Sequence, residues 1–76
     1  MTAKALSAFS VGHRVRLVSI DGGRALVRRL RALGLSEGNE LEVLHLRSGG
    51  VVVARDGNRV ALGRGIADKI MAAEID

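Results

Sequence analysis

The sequence predicts a small, mainly β domain in which five short strands curl into a barrel and one helix is inserted after the first strand. Five runs with β character are separated by turn-forming residues, and one run has helical periodicity. The chain has only 76 residues and no internal repeat, so few residues could cover exposed strand edges. A sheet that closes on itself removes those edges, and a single domain over residues 1–76 is therefore expected.

The five predicted strands span residues 14–20, 40–47, 51–55, 58–62 and 70–75. In the first, apolar and basic side chains alternate, which is typical of a strand with one buried face. In the second, the adjacent apolar residues Val43 and Leu44 interrupt the alternation and predict either a bulge or a strand bent between two sheet faces. Asp56-Gly57 separates the third and fourth strands and predicts a hairpin with a type I′ turn.

Residues 24–33 are predicted to form the helix, with a further helical turn at 63–68. Asp21 is a candidate N-terminal cap, and Gly34 is placed to end the helix in the left-handed conformation. Residues three and four positions apart lie on the same face of a helix. This spacing puts Leu26, Leu30 and Leu33 on one face, and it puts Arg24, Arg28 and Arg31 on the opposite face.

The composition indicates an anionic partner but excludes several classes of binding site. The net charge is +4, and arginine supplies ten of the twelve basic residues. Phe9 is the only aromatic residue, so base-stacking platforms and aromatic grooves for proline-rich peptides are excluded. There is no cysteine, no signal-peptide pattern and no apolar run near the ~20 residues that span a bilayer. The expectation is a cytoplasmic protein without a transmembrane segment.

A partner-binding surface is predicted on the helix and the turn after it. The arginines are interpreted either as a dock for an acidic surface, on a protein or on the inner membrane leaflet, or as an ordinary solvated helix face. Leu33 completes the leucine stripe and is expected in the core, whereas Leu35 is as well suited to an apolar contact patch. The candidate partner-binding residues are Arg24, Arg28, Arg31, Leu33 and Leu35.

No catalytic, cofactor or metal site is predicted. His13 and His45 are 32 positions apart, and no carboxylate has ligand-like spacing to either. The glycine-rich pieces lack the pattern of a phosphate-binding loop, and the serines lack the context of an activated nucleophile. The protein is therefore expected to act by binding rather than by catalysis.

Four motifs, in this order and spacing, resemble the FeoA family of bacterial ferrous-iron transport. They cover about residues 6–75: Leu6-Ser7 with Val11-Gly12; Gly22-Gly23 before the arginine-rich helix; Arg31 to Leu35 with Gly38 and Leu41-Glu42-Val43; and Val60 to Arg64 with Ile66-Ala67 and Ile70. A similar domain lies at the C-terminus of iron- and manganese-dependent repressors of the diphtheria-toxin-repressor type. The connection Leu46 to Val51 departs from the proline-containing loop of many family members.

The resemblance implies an SH3-like five-stranded barrel and an accessory role beside FeoB, a membrane transporter with a cytoplasmic GTPase domain. FeoB is accordingly the predicted partner, and binding to it would recruit the protein to the inner membrane face. No nucleic-acid partner is expected. Two other interpretations stay open at this point. The basic charge would also suit a nucleic-acid-binding SH3-like module, and the domain could be a free-standing relative of the repressor's regulatory domain.

Overall fold

The fold is one antiparallel sheet of six strands with a helix inserted after the second strand. The computed structural model describes residues 3–75. The elements in chain order are β1 (Lys4–Ala5), a 3₁₀ turn (Leu6–Ala8), β2 (Arg14–Ile20), α1 (Gly23–Ala32), β3 (Glu40–Arg47), β4 (Gly50–Arg55), β5 (Asn58–Gly63), α2 (Arg64–Ala67) and β6 (Ile70–Glu74). The mainly β class with one substantial helix is confirmed, and the predicted elements lie within one or two residues of the observed ones.

The predicted barrel needs two corrections. The strand order is β1-β6-β2-β3-β4-β5, so the sheet has six strands rather than five. Its end strands, β1 and β5, do not pair with each other, and the sheet is open. The extra strand β1 has only two residues, Lys4 and Ala5, which pair with Ala72 and Met71. A strand this short extends the sheet at β6 without reaching the opposite end, so the hydrogen-bonded ring of a closed barrel is not completed.

Two irregularities in the ladder interrupt the alternation of side chains. The predicted bulge in β3 is confirmed, because the register with β4 shifts between Val43 and His45. A second shift, in β2 opposite β6, lies between Leu17 and Ser19. A bulge adds one residue to one strand and turns the following side chains to the other face. Ile20 accordingly packs against the same core as Leu17, although it is three residues later, and Val18 is exposed.

The β4–β5 connection is the predicted type I′ hairpin. Asp56 has φ +50° and Gly57 has φ +83°, which are the two positive values that this turn requires. Asp56 accepts this conformation because a short polar side chain tolerates the left-handed region better than a branched one. The hairpin pairs Arg55 with Asn58 and continues to Gly50 and Gly63.

The core lies inside the curve of the sheet and is entirely apolar among the described residues. Every β strand except the short β1 contributes to it, and the 3₁₀ turn, α1 and α2 contribute as well. Its members are Leu6, Phe9, Val15, Leu17, Leu30, Leu35, Leu41, Val43, Val51, Val53, Leu62, Ala67, Ile70 and Ala72. Helix α1 supplies only Leu30 as a fully buried residue, so most of its surface is available to solvent.

Candidate partner-binding surface

Helix α1 presents three arginines to solvent, as predicted. Arg24, Arg28 and Arg31, called here the arginine ridge, are all exposed, whereas Leu30 is buried and Leu26 is half-buried. Residues three and four apart are neighbours on a helix surface, so the ridge runs along one flank of α1. The apolar positions anchor the helix against the sheet, and this anchoring directs the guanidinium groups outward.

A shallow cleft lies beside the ridge. It has a volume of about 490 Å³ and is lined by the three ridge arginines with Ile20, Gly23 and Val27. A smaller cleft of about 100 Å³ adjoins it and is lined by Ile20, Val27, Arg31, Ser36 and Glu37. The apolar floor and basic rim of the larger cleft would suit a surface that carries both carboxylates and aliphatic side chains.

The positive charge of the ridge is not neutralised within the described chain. No arginine of α1 forms an ion pair in residues 3–75; the pairs there are His13–Glu74, Arg14–Glu40, Arg16–Glu40 and Arg55–Asp56. Arg29 adds a fourth exposed arginine, and α1 contains no acidic residue. Sequence reasoning left Arg29 out because it is not at the three- and four-residue spacing of the ridge. All charged residues on the surface of α1 are thus basic.

The burial of Leu33 and Leu35 differs from the predicted one. Leu33 is 52% exposed, which corrects the prediction that it completes the core stripe. Leu35 is fully buried, which corrects its place in the candidate contact patch. Its side chain is not available to a partner, and the candidate surface keeps Arg24, Arg28, Arg31 and Leu33.

The geometry of the helix end explains why Leu35 is buried and Leu33 is exposed. Gly34 adopts φ +85° and reverses the chain direction. Its N–H donates to the carbonyl of Arg31 at 2.9 Å, and the N–H of Leu35 donates to the carbonyl of Leu30 at 2.8 Å. This pair of bonds is a Schellman motif, in which the second residue after the cap packs against the last helical turn. Leu35 therefore occupies the core position next to Leu30, and Leu33, the C-cap residue, is left outside.

The start of α1 also differs from prediction. Gly22 is the N-cap residue and no side chain caps the helix, so Asp21 does not have the predicted capping role. Asp21 instead donates its backbone N–H to the carbonyl of Lys69 at 2.7 Å. This bond ties the end of β2 to the turn before β6.

The two histidines lie in different surroundings. His13 Nδ1 is 3.0 Å from Glu74 Oε2, but this contact lacks hydrogen-bond geometry and Nδ1 has no hydrogen-bond partner. The ring of His13 is 6.3 Å from that of Phe9. His45 is exposed on β3. Within residues 3–75, no group of three or more His, Cys, Asp or Glu side chains is placed to hold a metal ion.

Comparison with known proteins identifies the family of this fold. A sequence model of the FeoA domain matches residues 4–74. The chain belongs to the FeoA family. It is 34% identical over 65 residues to a protein of Methanocaldococcus jannaschii named "Putative Fe(2+) transport protein A", covering 86% of this chain and 79% of that protein. The resemblance deduced from the sequence motifs is thereby confirmed.

Solved structures agree with this assignment. A crystal structure of an iron uptake regulatory protein (FeoA) has a TM-score of 0.88 and 28% identity, covering 99% of this chain and all of the other. The solution structure of FeoA from Chlorobium tepidum has a TM-score of 0.85 and 28% identity over 95% of this chain and 70% of that one. A manganese-dependent transcriptional repressor has a TM-score of 0.90 at 28% identity; this chain covers only 38% of it.

The described part of the chain has no helix that is long and apolar enough to cross a bilayer. The longest helix, α1, has ten residues, four of which are arginine. The protein is thus a small β scaffold that holds a basic helix at its surface.

Proposed function

We propose that the protein is an accessory component of ferrous-iron uptake that docks on the cytoplasmic GTPase part of a FeoB-type membrane transporter. It would work in the cytoplasm and be recruited to the inner membrane face by that contact. It would act by binding, without chemistry or a cofactor of its own. The observation that carries the proposal is the exposed and unpaired arginine ridge, on a chain whose family is that of ferrous-iron transport.

The ridge is suited to steering and positioning a partner. Charged groups at the rim of an interface mainly raise the association rate and reject wrong partners, and their effect falls as salt rises. Leu33 lies at the end of the same helix and is half exposed, so it offers an apolar contact beside the charges. The complementary surface on the partner would carry carboxylates around an apolar centre.

A binding titration with the soluble cytoplasmic domain of a FeoB-type transporter tests the proposal. We expect Arg28→Glu to weaken binding about tenfold or more, because a like charge across an interface is repelled. Leu33→Gln is expected to weaken binding while leaving the fold intact, since this side chain is exposed. Arg59→Glu is the matched control, because it makes the same charge change at an exposed arginine on β5 that, like Arg28, forms no ion pair in the described residues. Equal binding by all four proteins, or none by the unmodified protein, would refute the proposal.

A further inference from the structure

A second candidate surface is the outer edge of β5. This strand is at the end of the sheet, and only β4 pairs with it in the described chain. The edge extends over Asn58–Gly63, which is long enough to receive another strand. An open edge exposes unpaired backbone donors and acceptors. Natural proteins either protect such an edge against unwanted pairing or use it to bind a strand of a partner.

The hairpin geometry shows which backbone groups point away from β4. A two-residue type I′ turn is flanked by a hydrogen-bonded pair, here Arg55 with Asn58. Hydrogen-bonded and non-hydrogen-bonded pairs alternate along an antiparallel ladder. Arg59 and Ala61, opposite Ala54 and Val52, are therefore in non-hydrogen-bonded pairs. Their N–H and C=O groups face the open edge, and neither residue forms another backbone bond in residues 3–75.

The side chains beside this edge leave room for a strand. Arg59 and Ala61 are exposed, and they share the outer face of the sheet with their cross-strand partners Ala54 and Val52. An open groove of about 530 Å³ runs over this face, and Val52 and Ala61 are in its lining. Its β4 and β5 lining consists of glycine and of small or branched apolar residues, and Arg47 and Ser48 also line it.

The charged side chains around the groove are mostly basic; the acidic exception on this face is Glu42, whose cross-strand partner Ala54 pairs with Arg59. Arg59 lies near the start of β5 and Arg64 directly follows its end. Arg47, on the same outer face, pairs with Gly50, which in turn pairs with Gly63. Arg47 is thus two strand spacings, roughly 10 Å, from the edge strand. None of these three arginines forms an ion pair in the described residues.

We propose that the β5 edge binds an extended acidic segment of a partner protein, which adds to the sheet as an antiparallel strand. The backbone groups of Arg59 and Ala61 would supply the main-chain hydrogen bonds. Arg59 and Arg64 would select carboxylates on alternate residues of the segment, since alternate side chains share one face, and Arg47 would add positive charge farther from the edge. This site is distinct from the arginine ridge, and the inference does not depend on the proposed function.

The charges at the β5 edge favour an acidic segment over a second copy of the same chain as its occupant. Two β5 strands joined about a two-fold axis at Ala61 would oppose Arg59 to Gly63 and bring Arg59 of each copy beside Arg64 of the other. Like charges in neighbouring cross-strand positions are destabilising. An acidic segment replaces this repulsion by attraction, and the unpaired arginines therefore favour it over self-association.

Amide hydrogen exchange of the full chain, followed by NMR, tests the inference with the peptide Thr-Glu-Val-Glu-Val-Thr as the probe. With peptide at about ten times its dissociation constant, exchange at the amides of Arg59 and Ala61 is expected to slow roughly tenfold. The amides of Val60 and Leu62 already bond to β4 and are expected to be unchanged. Two control peptides are expected to give no protection. One has lysine in place of glutamate, and the other is methylated on the backbone nitrogens of its glutamates.

Three variants distinguish strand addition from non-specific charge attraction. Ala61→Pro removes an outward N–H without breaking a bond to β4, and proline is tolerated at such edge positions. It is expected to abolish protection at Arg59, whereas Ala61→Val keeps it. Arg59→Glu, a change at an exposed side chain, is expected to transfer the preference to the lysine peptide. Protection that maps to α1, equal effects of both peptides, or protection that rises with protein concentration alone would each overturn the inference.

Discussion

Leu35 donates its backbone N–H to the carbonyl oxygen of Leu30 at 2.8 Å, and both side chains are in the core. This contact joins the last turn of α1 to the chain that leads into β3. It makes Leu35 the residue that closes the core at this end of the helix. Leu33, two residues earlier, is 52% exposed, so two leucines that look alike in sequence have opposite roles.

Leu35→Ala is expected to lower the free energy of unfolding by about 2–5 kcal/mol, because the side chain is fully buried and its removal leaves a cavity. Leu33→Ala is expected to change it by no more than about 0.5 kcal/mol. Urea unfolding followed by far-ultraviolet circular dichroism measures both, since the chain has no Trp or Tyr to report by fluorescence. A larger cost at Leu33 than at Leu35 would contradict the packing described.

Gly34→Ala is expected to destabilise the protein by about 1–2 kcal/mol, because a residue with a Cβ is strained in the left-handed region that φ +85° requires. A Cβ at this position would also lie 3.2 Å from Nη1 of Arg55, the end of a flexible side chain that can move aside. Backbone strain is thus the main cost. Asn at position 34 is the matched test, since asparagine tolerates this conformation better. Equal costs for Ala and Asn would show that strain is not the cause.

Gly50→Ala is expected to disturb the β4–β5 pairing. A Cβ on Gly50 would lie 2.2 Å from the carbonyl oxygen of Leu62, so the two backbones must move apart. Overpacking of this kind costs about 1–3 kcal/mol. Gly49→Ala is the control, because nothing lies within 4 Å of a Cβ there. Thermal or urea unfolding should separate the two variants, and equal stabilities would mean that β4 and β5 approach each other less closely than observed.

Nucleic-acid binding is expected to be weak and to have a shallow salt dependence. A ridge of three arginines can neutralise about three phosphates, which gives a slope of about −2.7 in a plot of log K against log salt for duplex DNA. Fluorescence anisotropy with a labelled duplex and a labelled single strand measures this slope. A slope near that of binders that contact 6–10 phosphates, about −5 or steeper, would favour the nucleic-acid-binding interpretation instead. Arg28→Glu should abolish the residual binding.

The sequence by itself determined the local elements and the family. The span of β2, the bulge in β3, the type I′ hairpin and the end of α1 at Gly34 each depend on residues within a few positions of one another. Periodicity and turn chemistry are therefore readable from the chain alone. The exposure of the arginine ridge was predictable for the same reason, because one helix face had to be apolar.

Only the tertiary structure decided which residues are buried where the chain changes direction and which strand edges stay open. Helical spacing placed Leu33 in the core, but the reversal at Gly34 turns Leu35 inward to meet Leu30. Pairing between β1 and β6 adds a sixth strand and leaves β5 without a second neighbour. These outcomes depend on contacts between residues far apart in sequence, and a local pattern carries no information about which distant segment will lie beside it.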